Sequence, residues 1–241
     1  MATCADSLSA IKQLVFDEKR CTGAQLLAAV KANWAGYEKL YALVNSSKVH
    51  HYGNDDDYAD ELFKFMFETY CKHIAGRKSP RGATFSPGVY SVNANVAMGL
   101  NTNASVDGRK KGEAISDNMG PVHTDAGSHD INGPTAIVNS LAKVDHSLAT
   151  NGTLMNLRFP EDAVAGIEGR DNLVHFIEEY MHKGPMHVQF NIMSADTMRA
   201  AQKKPEDYKD MLVRVAGYSA YFVELGKPLQ KDLIQRTELH F

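Results

Sequence analysis

Between Thr153 and Phe222, stretches of two different periods take turns. Thr153–Phe159 reads as a strand, and a helical pattern follows over about 170–182. His187–Ile192 then alternates, with Val188, Phe190 and Ile192 set against Gln189 and Asn191. That is the period of a strand with two unlike faces. Ser194 caps the next helix, Pro205 opens another, and Met211–Val215 is a short apolar strand. Strands that alternate with helices point to an α/β fold with parallel strands, because parallel neighbours need a long crossover between them. Pro228–Leu239 reads as a closing helix.

The first third of the chain is helical in pattern. Residues 6–19 fit an amphipathic helix opened by Asp6-Ser7. Thr22 caps a second helix, with Leu26, Leu27, Val30 and Trp34 on one face, and a third runs from about Gly36 to Val44. Asp55, Asp56 and Asp57 follow a polar loop and open a helix that ends near Gly76. Negative charge at that position favours a helix N-terminus, so the triplet reads as capping rather than as a metal site. The chain opens almost directly into a packed element, so a further segment is expected before residue 1.

The character changes near residue 80. Pro80–Gly152 is rich in Gly, Asn, Ser, Thr and Pro. Val89–Met98 reads as an extended segment, and 99–133 as a long loop with a turn at Asp107-Gly108-Arg109-Lys110. Loops of this length are either functional or disordered. This one is not of low complexity, so it is expected to be ordered and to line a site or cover a larger body. Pro134 then opens a helix through about Ala142.

Composition excludes several classes. Lys+Arg number 26 against Asp+Glu 29, a net charge of −3, which gives no electrostatic basis for nucleic acid or an anionic membrane. No apolar run reaches the length of a membrane span, and no signal peptide is visible. Cys4, Cys21 and Cys71 are few, odd in number and far apart. That argues for a reducing, cytoplasmic compartment and against a disulfide framework or a cluster site. Cys21 and Cys71 lie on helical patterns and read as small packing residues. His123, His129, His146 and His187 match no metal-ligand spacing, so local hydrogen bonding is their expected role, and no metal site is assigned.

One string carries the chemistry. In Leu212–Phe222 an apolar strand runs into Gly217, flanked by Ala216, Tyr218, Ser219 and Ala220. A glycine after a strand is most often a turn residue with positive φ. The full string resembles the C-terminal signature of the glycyl radical enzymes, Arg-Val-x-Gly-[Tyr/Phe]-x-x-x-Phe, through Arg214, Val215, Gly217, Tyr218 and Phe222. Further family-like strings are Asp6-Ser-Leu8, Tyr52–Tyr58, Asp107-Gly-Arg109, Asn132–Thr135, Asn151–Leu154 and Gln235–Glu238, so the resemblance spans the chain. It implies the C-terminal part of a ten-stranded α/β barrel with the glycine loop inside it. Residues 1–110 would belong to the pyruvate formate-lyase-like barrel domain and 111–241 to the glycyl radical domain.

The resemblance also implies the site. Gly217 would store the radical, supported by Arg214, Val215, Ala216, Tyr218, Ser219 and Phe222. A radical on a glycine Cα is stabilised by the amide nitrogen on one side and the carbonyl on the other, and only a residue without Cβ flattens there freely. Tyr218, Tyr221 and Phe222 would pack the loop into a dry interior. The radical would be installed by a radical S-adenosylmethionine activase with its own four-iron cluster, and no cofactor is bound by this chain. The family's thiyl cysteine lies in a Gly-Cys-x-Glu context that this sequence lacks, so the chain alone is expected to be inactive.

Within the family, Ser116–His123 with the insertion up to Asp130, Lys143–Leu154 and the Tyr221–Phe241 tail look most like the fumarate-adding benzylsuccinate and alkylsuccinate synthases. Fumarate and a hydrocarbon would then be substrates, with Asn95 and Ala97 lining an apolar cavity beside Val96 and Met98. Small accessory subunits and a homo-oligomer are further partners of that reading. The alternatives are a decarboxylase or dehydratase of arylacetate, diol or choline type, or a stand-alone glycyl radical repair subunit.

Overall fold

The computed structural model describes residues 1–241. Helix α1 (Ala2–Ile11) runs into a π turn over Lys12–Asp17. Then come α2 (Gly23–Lys31), α3 (Glu38–Val44), α4 (Asp57–Ile74) and α5 (Ala94–Leu100). Strands β1 (His123–Thr124) and β2 (Gly127–Ser128) form a small antiparallel hairpin. Helix α6 (Gly133–Ala142), β3 (Met155–Phe159), α7 (Gly166–His182), β4 (Val188–Ile192) and α8 (Ala195–Lys203) follow. Strands β5 (Leu212–Arg214) and β6 (Ser219–Tyr221) make a second hairpin, and α9 (Lys227–Gln235) ends the helical set. The architecture is mixed α/β. No helix is long and apolar enough to cross a membrane.

The parallel expectation is met by one pair. β3 and β4 pair from Met155↔Val188 to Phe159↔Ile192, with α7 as the crossover. All five β3 residues are buried. The chain's tail extends this sheet. Glu238 bridges Arg158, and Leu239 N–H donates to the Arg158 carbonyl at 2.9 Å. That pairing explains why α9 stops at Gln235 and not at Leu239: Arg236 takes extended backbone to lay the tail beside β3.

Three further expectations are corrected. Residues 94–100 are helical, not extended; a run this short does not separate strand from helix by period alone. Asn95, Val96 and Gly99 form its buried face, a helical spacing. Asp6 does not cap α1, which begins at Ala2; it sits mid-helix and fully buried. Cys21 lies in the bend before α2, although Cys71 does pack inside α4. Burial pushes both thiols up.

The Asp triplet divides its work. Asp56 accepts from Tyr58 N–H at 3.0 Å as the cap of α4. Asp55 and Asp57, with Asp60, clasp Lys143 at 2.7–3.0 Å. The 101–122 loop is ordered from within. Buried Arg109 donates to the carbonyls of Asn103, Lys110 and Glu113, so its charge satisfies backbone that no ladder reaches.

The largest apolar core joins Tyr52, Phe63 and Phe67 to Ile137, Leu141, Met155, Phe159 and Tyr180. A second gathers Leu14, Leu26, Trp34 and Val44 under α2 and α3. The third seats the β5–β6 hairpin: Met198, Ala201, Val213, Val215, Phe222 and Leu233.

Candidate active site

The β5–β6 register is Leu212↔Tyr221, Val213↔Ala220 and Arg214↔Ser219. Alternation buries Val213, Val215 and Phe222 and turns Arg214 and Ser219 outward. Val215 N–H closes the turn on the Tyr218 carbonyl at 2.9 Å. The turn needs a residue of positive φ, and Gly217 supplies it at +83°. A Cβ built on Gly217 would meet nothing within 4 Å, and the residue is exposed on this chain.

At +83° the Cα–C bond stands nearly perpendicular to the preceding peptide plane. A planar Cα radical conjugated with that amide requires rotation toward the plane. The Cβ-sized space beside Gly217 is open on this chain, and the Val215–Tyr218 bond that closes the turn is what such a rotation strains.

The loop hangs on a ring of polar side chains. Gly217 N–H donates to Gln189 Oε1 at 2.8 Å, and Arg214 Nε donates to the same oxygen at 2.8 Å. Gln189 Nε2 donates to Asn156 Oδ1 at 3.1 Å, and Asn156 Nδ2 donates to Asp117 Oδ2 at 2.6 Å. Asp117 lies 3.6 Å from Arg236, whose Nη1 returns to the Val215 carbonyl at 3.2 Å. Arg236 also pairs with Asp232 at 3.0 Å. Burial pushes the Asp232 carboxyl up. Burial opposes the Arg236 charge too, but Asp117 and Asp232 outweigh it and raise its pKa. Outside the ring, Asn191 brackets Arg214 through its N–H and carbonyl at 2.8 and 2.6 Å.

The other residues singled out by sequence are placed as follows. Phe222, Val215 and Ala216 are buried. Tyr218 is half-buried and accepts from Asn93 at 3.2 Å, and Tyr221 is 41% exposed. Ser219 accepts from Arg214 Nη1 at 3.3 Å. Asn95 is 1% exposed, bonds Asp232 at 3.0 Å and lines an open cleft of about 250 Å³ with Tyr90, Ser91, Met98 and Ile115. Ala97 is exposed on the other side of α5. Sequence reading missed Gln189, Asn156, Asp117, Asp232 and Arg236. The signal was present for Gln189: it lies on the polar face of an alternating strand and is 6% exposed, so that face meets other polar groups.

The histidines are held locally. His146 bonds Thr153 Oγ1 and the Leu141 carbonyl, and burial lowers its pKa. His123 lies 3.2 Å from Asp130. Burial opposes a charge on His123, but Asp130 outweighs it and the pKa is raised. Asp6, His51 and His129 converge with a shape that a metal ion could use. Each histidine has Nε2 on a side-chain or backbone carbonyl oxygen, of Asn45 or Val44, and turns Nδ1 to Asp6, at 2.9 Å for His129 and 3.5 Å for His51. Burial works against a charge on Asp6, but His129 and His51 outweigh it and hold the carboxyl at about 2. The group is a buried, mutually packed polar cluster.

A family model described as pyruvate formate lyase-like matches residues 1–99. A second, described as glycine radical, matches residues 116–223 and so includes the whole β5–β6 hairpin. The chain belongs to the glycyl radical enzymes. It is 84% identical over all 241 residues to a (2S)-3-sulfopropanediol dehydratase of Klebsiella oxytoca, of which it covers 29%. Two solved structures are similar over the whole chain, each at 40% identity with 30% of the other chain covered. They are a glycerol-bound glycerol dehydratase of Clostridium butyricum, TM-score 0.92, and a hydroxyproline dehydratase of Clostridioides difficile, TM-score 0.94. The chain thus spans less than a third of these relatives.

These relatives fit the dehydratase alternative better than the fumarate-adding reading. Residues 94–98 of the expected cavity-facing strand are instead part of α5, with Asn95 and Met98 on the open cleft and Ala97 on its exposed side.

Proposed function

We propose that this chain is the radical-bearing C-terminal portion of a glycyl radical dehydratase, with Gly217 storing the radical. The division near residue 110 into barrel part and radical domain is part of the proposal. A radical S-adenosylmethionine activase removes one hydrogen atom from the Gly217 Cα. The glycyl radical then takes the hydrogen atom of a cysteine thiol, restoring the Gly217 C–H and leaving a thiyl radical. The cysteine belongs to a part of the protein outside these residues. The thiyl abstracts the hydrogen from one carbinol carbon of a vicinal diol, the neighbouring hydroxyl leaves as water with the proton of the hydroxyl on the radical carbon, and the thiol returns its hydrogen atom to the resulting carbonyl-stabilised radical. The 84% identity to the sulfopropanediol enzyme across the whole chain carries the substrate class, a short diol bearing a sulfonate.

A chimera joining this chain to the N-terminal portion of the Klebsiella oxytoca relative tests the reading. Activated anaerobically, it converts 3-sulfopropane-1,2-diol to the corresponding aldehyde and forms no succinate adduct from fumarate and a hydrocarbon. A chimera that carries the radical yet leaves the diol untouched overturns the substrate assignment.

A further inference from the structure

We infer that Gln189 is a positioning residue for the radical glycine: its single amide oxygen fixes the Gly217 N–H and the Arg214 guanidinium together. The inference rests on Gly217 being the radical site.

Three observations carry it. Gly217 N–H has no other acceptor, because the turn's own backbone bond runs from Val215 to Tyr218. Gln189 is 6% exposed on β4, a different element from the hairpin, so it measures where the loop sits against the sheet. Its other amide atom is committed to Asn156, which fixes the flip and leaves the oxygen facing Gly217. That commitment continues through Asp117 and Arg236 back to the Val215 carbonyl. The loop is therefore gripped at two points, Val215 and Gly217, by one connected network.

The chemical consequence lies in the amide nitrogen. A hydrogen bond from Gly217 N–H to an oxygen raises electron density on that nitrogen, which is the donor half of the radical's stabilisation. Arg214 on the same oxygen withdraws part of that density. Gln189 thus sets the balance, and a carboxylate in its place would tip it toward the nitrogen.

The test uses the chain with its activase under anaerobic conditions, read by electron paramagnetic resonance alongside thermal melting. The unsubstituted chain gives a doublet; its absence refutes the radical reading itself and, with it, this inference. Gln189→Met keeps the volume and removes the acceptor. Losing one net hydrogen bond shifts an equilibrium by about fivefold, so spin yield per folded chain or radical lifetime falls about fivefold. Gln189→Glu keeps both acceptor contacts but gives up the donation to Asn156; it retains more yield than Gln189→Met and changes the doublet splitting. Unaltered yield, lifetime and splitting in Gln189→Met overturns the inference. If that variant does not fold, an unaltered splitting in Gln189→Glu overturns it alone.

Discussion

The interior beneath α1 and the β5–β6 hairpin use polar groups and glycine in opposite ways. Beneath α1, Asp6 is fully buried and meets Tyr52 N–H, His129 and His51. Gly99, nearby on α5, is glycine because space demands it: a Cβ would stand 2.2 Å from the Glu113 carbonyl oxygen. In the hairpin, Gly217 has open space where a Cβ would go and a positive φ. Polarity in the first region is consumed in holding the fold. In the second it orients one backbone amide and leaves the adjoining Cα uncovered on this chain. Gly99 is glycine because it is crowded, whereas Gly217 stands in open space at positive φ with its N–H held by a side chain from another strand.

That contrast predicts a ranked set of effects. Gly217→Ala removes all stored spin. It lowers stability by only about 1 kcal/mol, the strain of an L side chain at positive φ, as read by denaturant midpoint. Asp6→Ala strands two buried histidines and lowers stability by about 3 kcal/mol on the same assay. Acid removes part of the same contribution. The Asp6 carboxyl lies at about 2 in the fold, below the ordinary 3.8. Its stabilisation is complete above about pH 4 and is lost as pH falls toward 2, roughly 2 kcal/mol in all. Asp6→Asn flattens that segment of the stability–pH curve. Gly99→Ala forces α5 off the 113–114 backbone and lowers stability by about 2 kcal/mol, with no effect on spin per folded chain. A large loss of stability in Gly217→Ala, or a loss of spin in Gly99→Ala, breaks the comparison.

Local pattern carried most of the fold. The α7 crossover and the alternation of β4 gave the parallel pair, and Thr22 caps α2 with its box partner Gln25. The extended reading of 89–98 holds at Val89, which bridges Thr153, and failed over 94–98 because seven residues of α5 hold too few turns to show a period. Asp6 was misread because a short acid near a helix start looks the same whether it caps the backbone or points inward to partners 45 and 123 positions away. The same limit hid the radical loop's support. Asp117, Asn156, Gln189 and Arg236 meet only once β3, β4 and the tail are assembled. Gly217 itself was legible because its signature is local.

Anaerobic activation of this chain and of Gly217→Ala, followed by electron paramagnetic resonance, tests the central claim most directly. The account predicts a doublet in the unsubstituted chain, none in Gly217→Ala, and backbone cleavage at residue 217 when oxygen is admitted. A doublet that survives in Gly217→Ala, or a correctly folded chain that never acquires one, would contradict it.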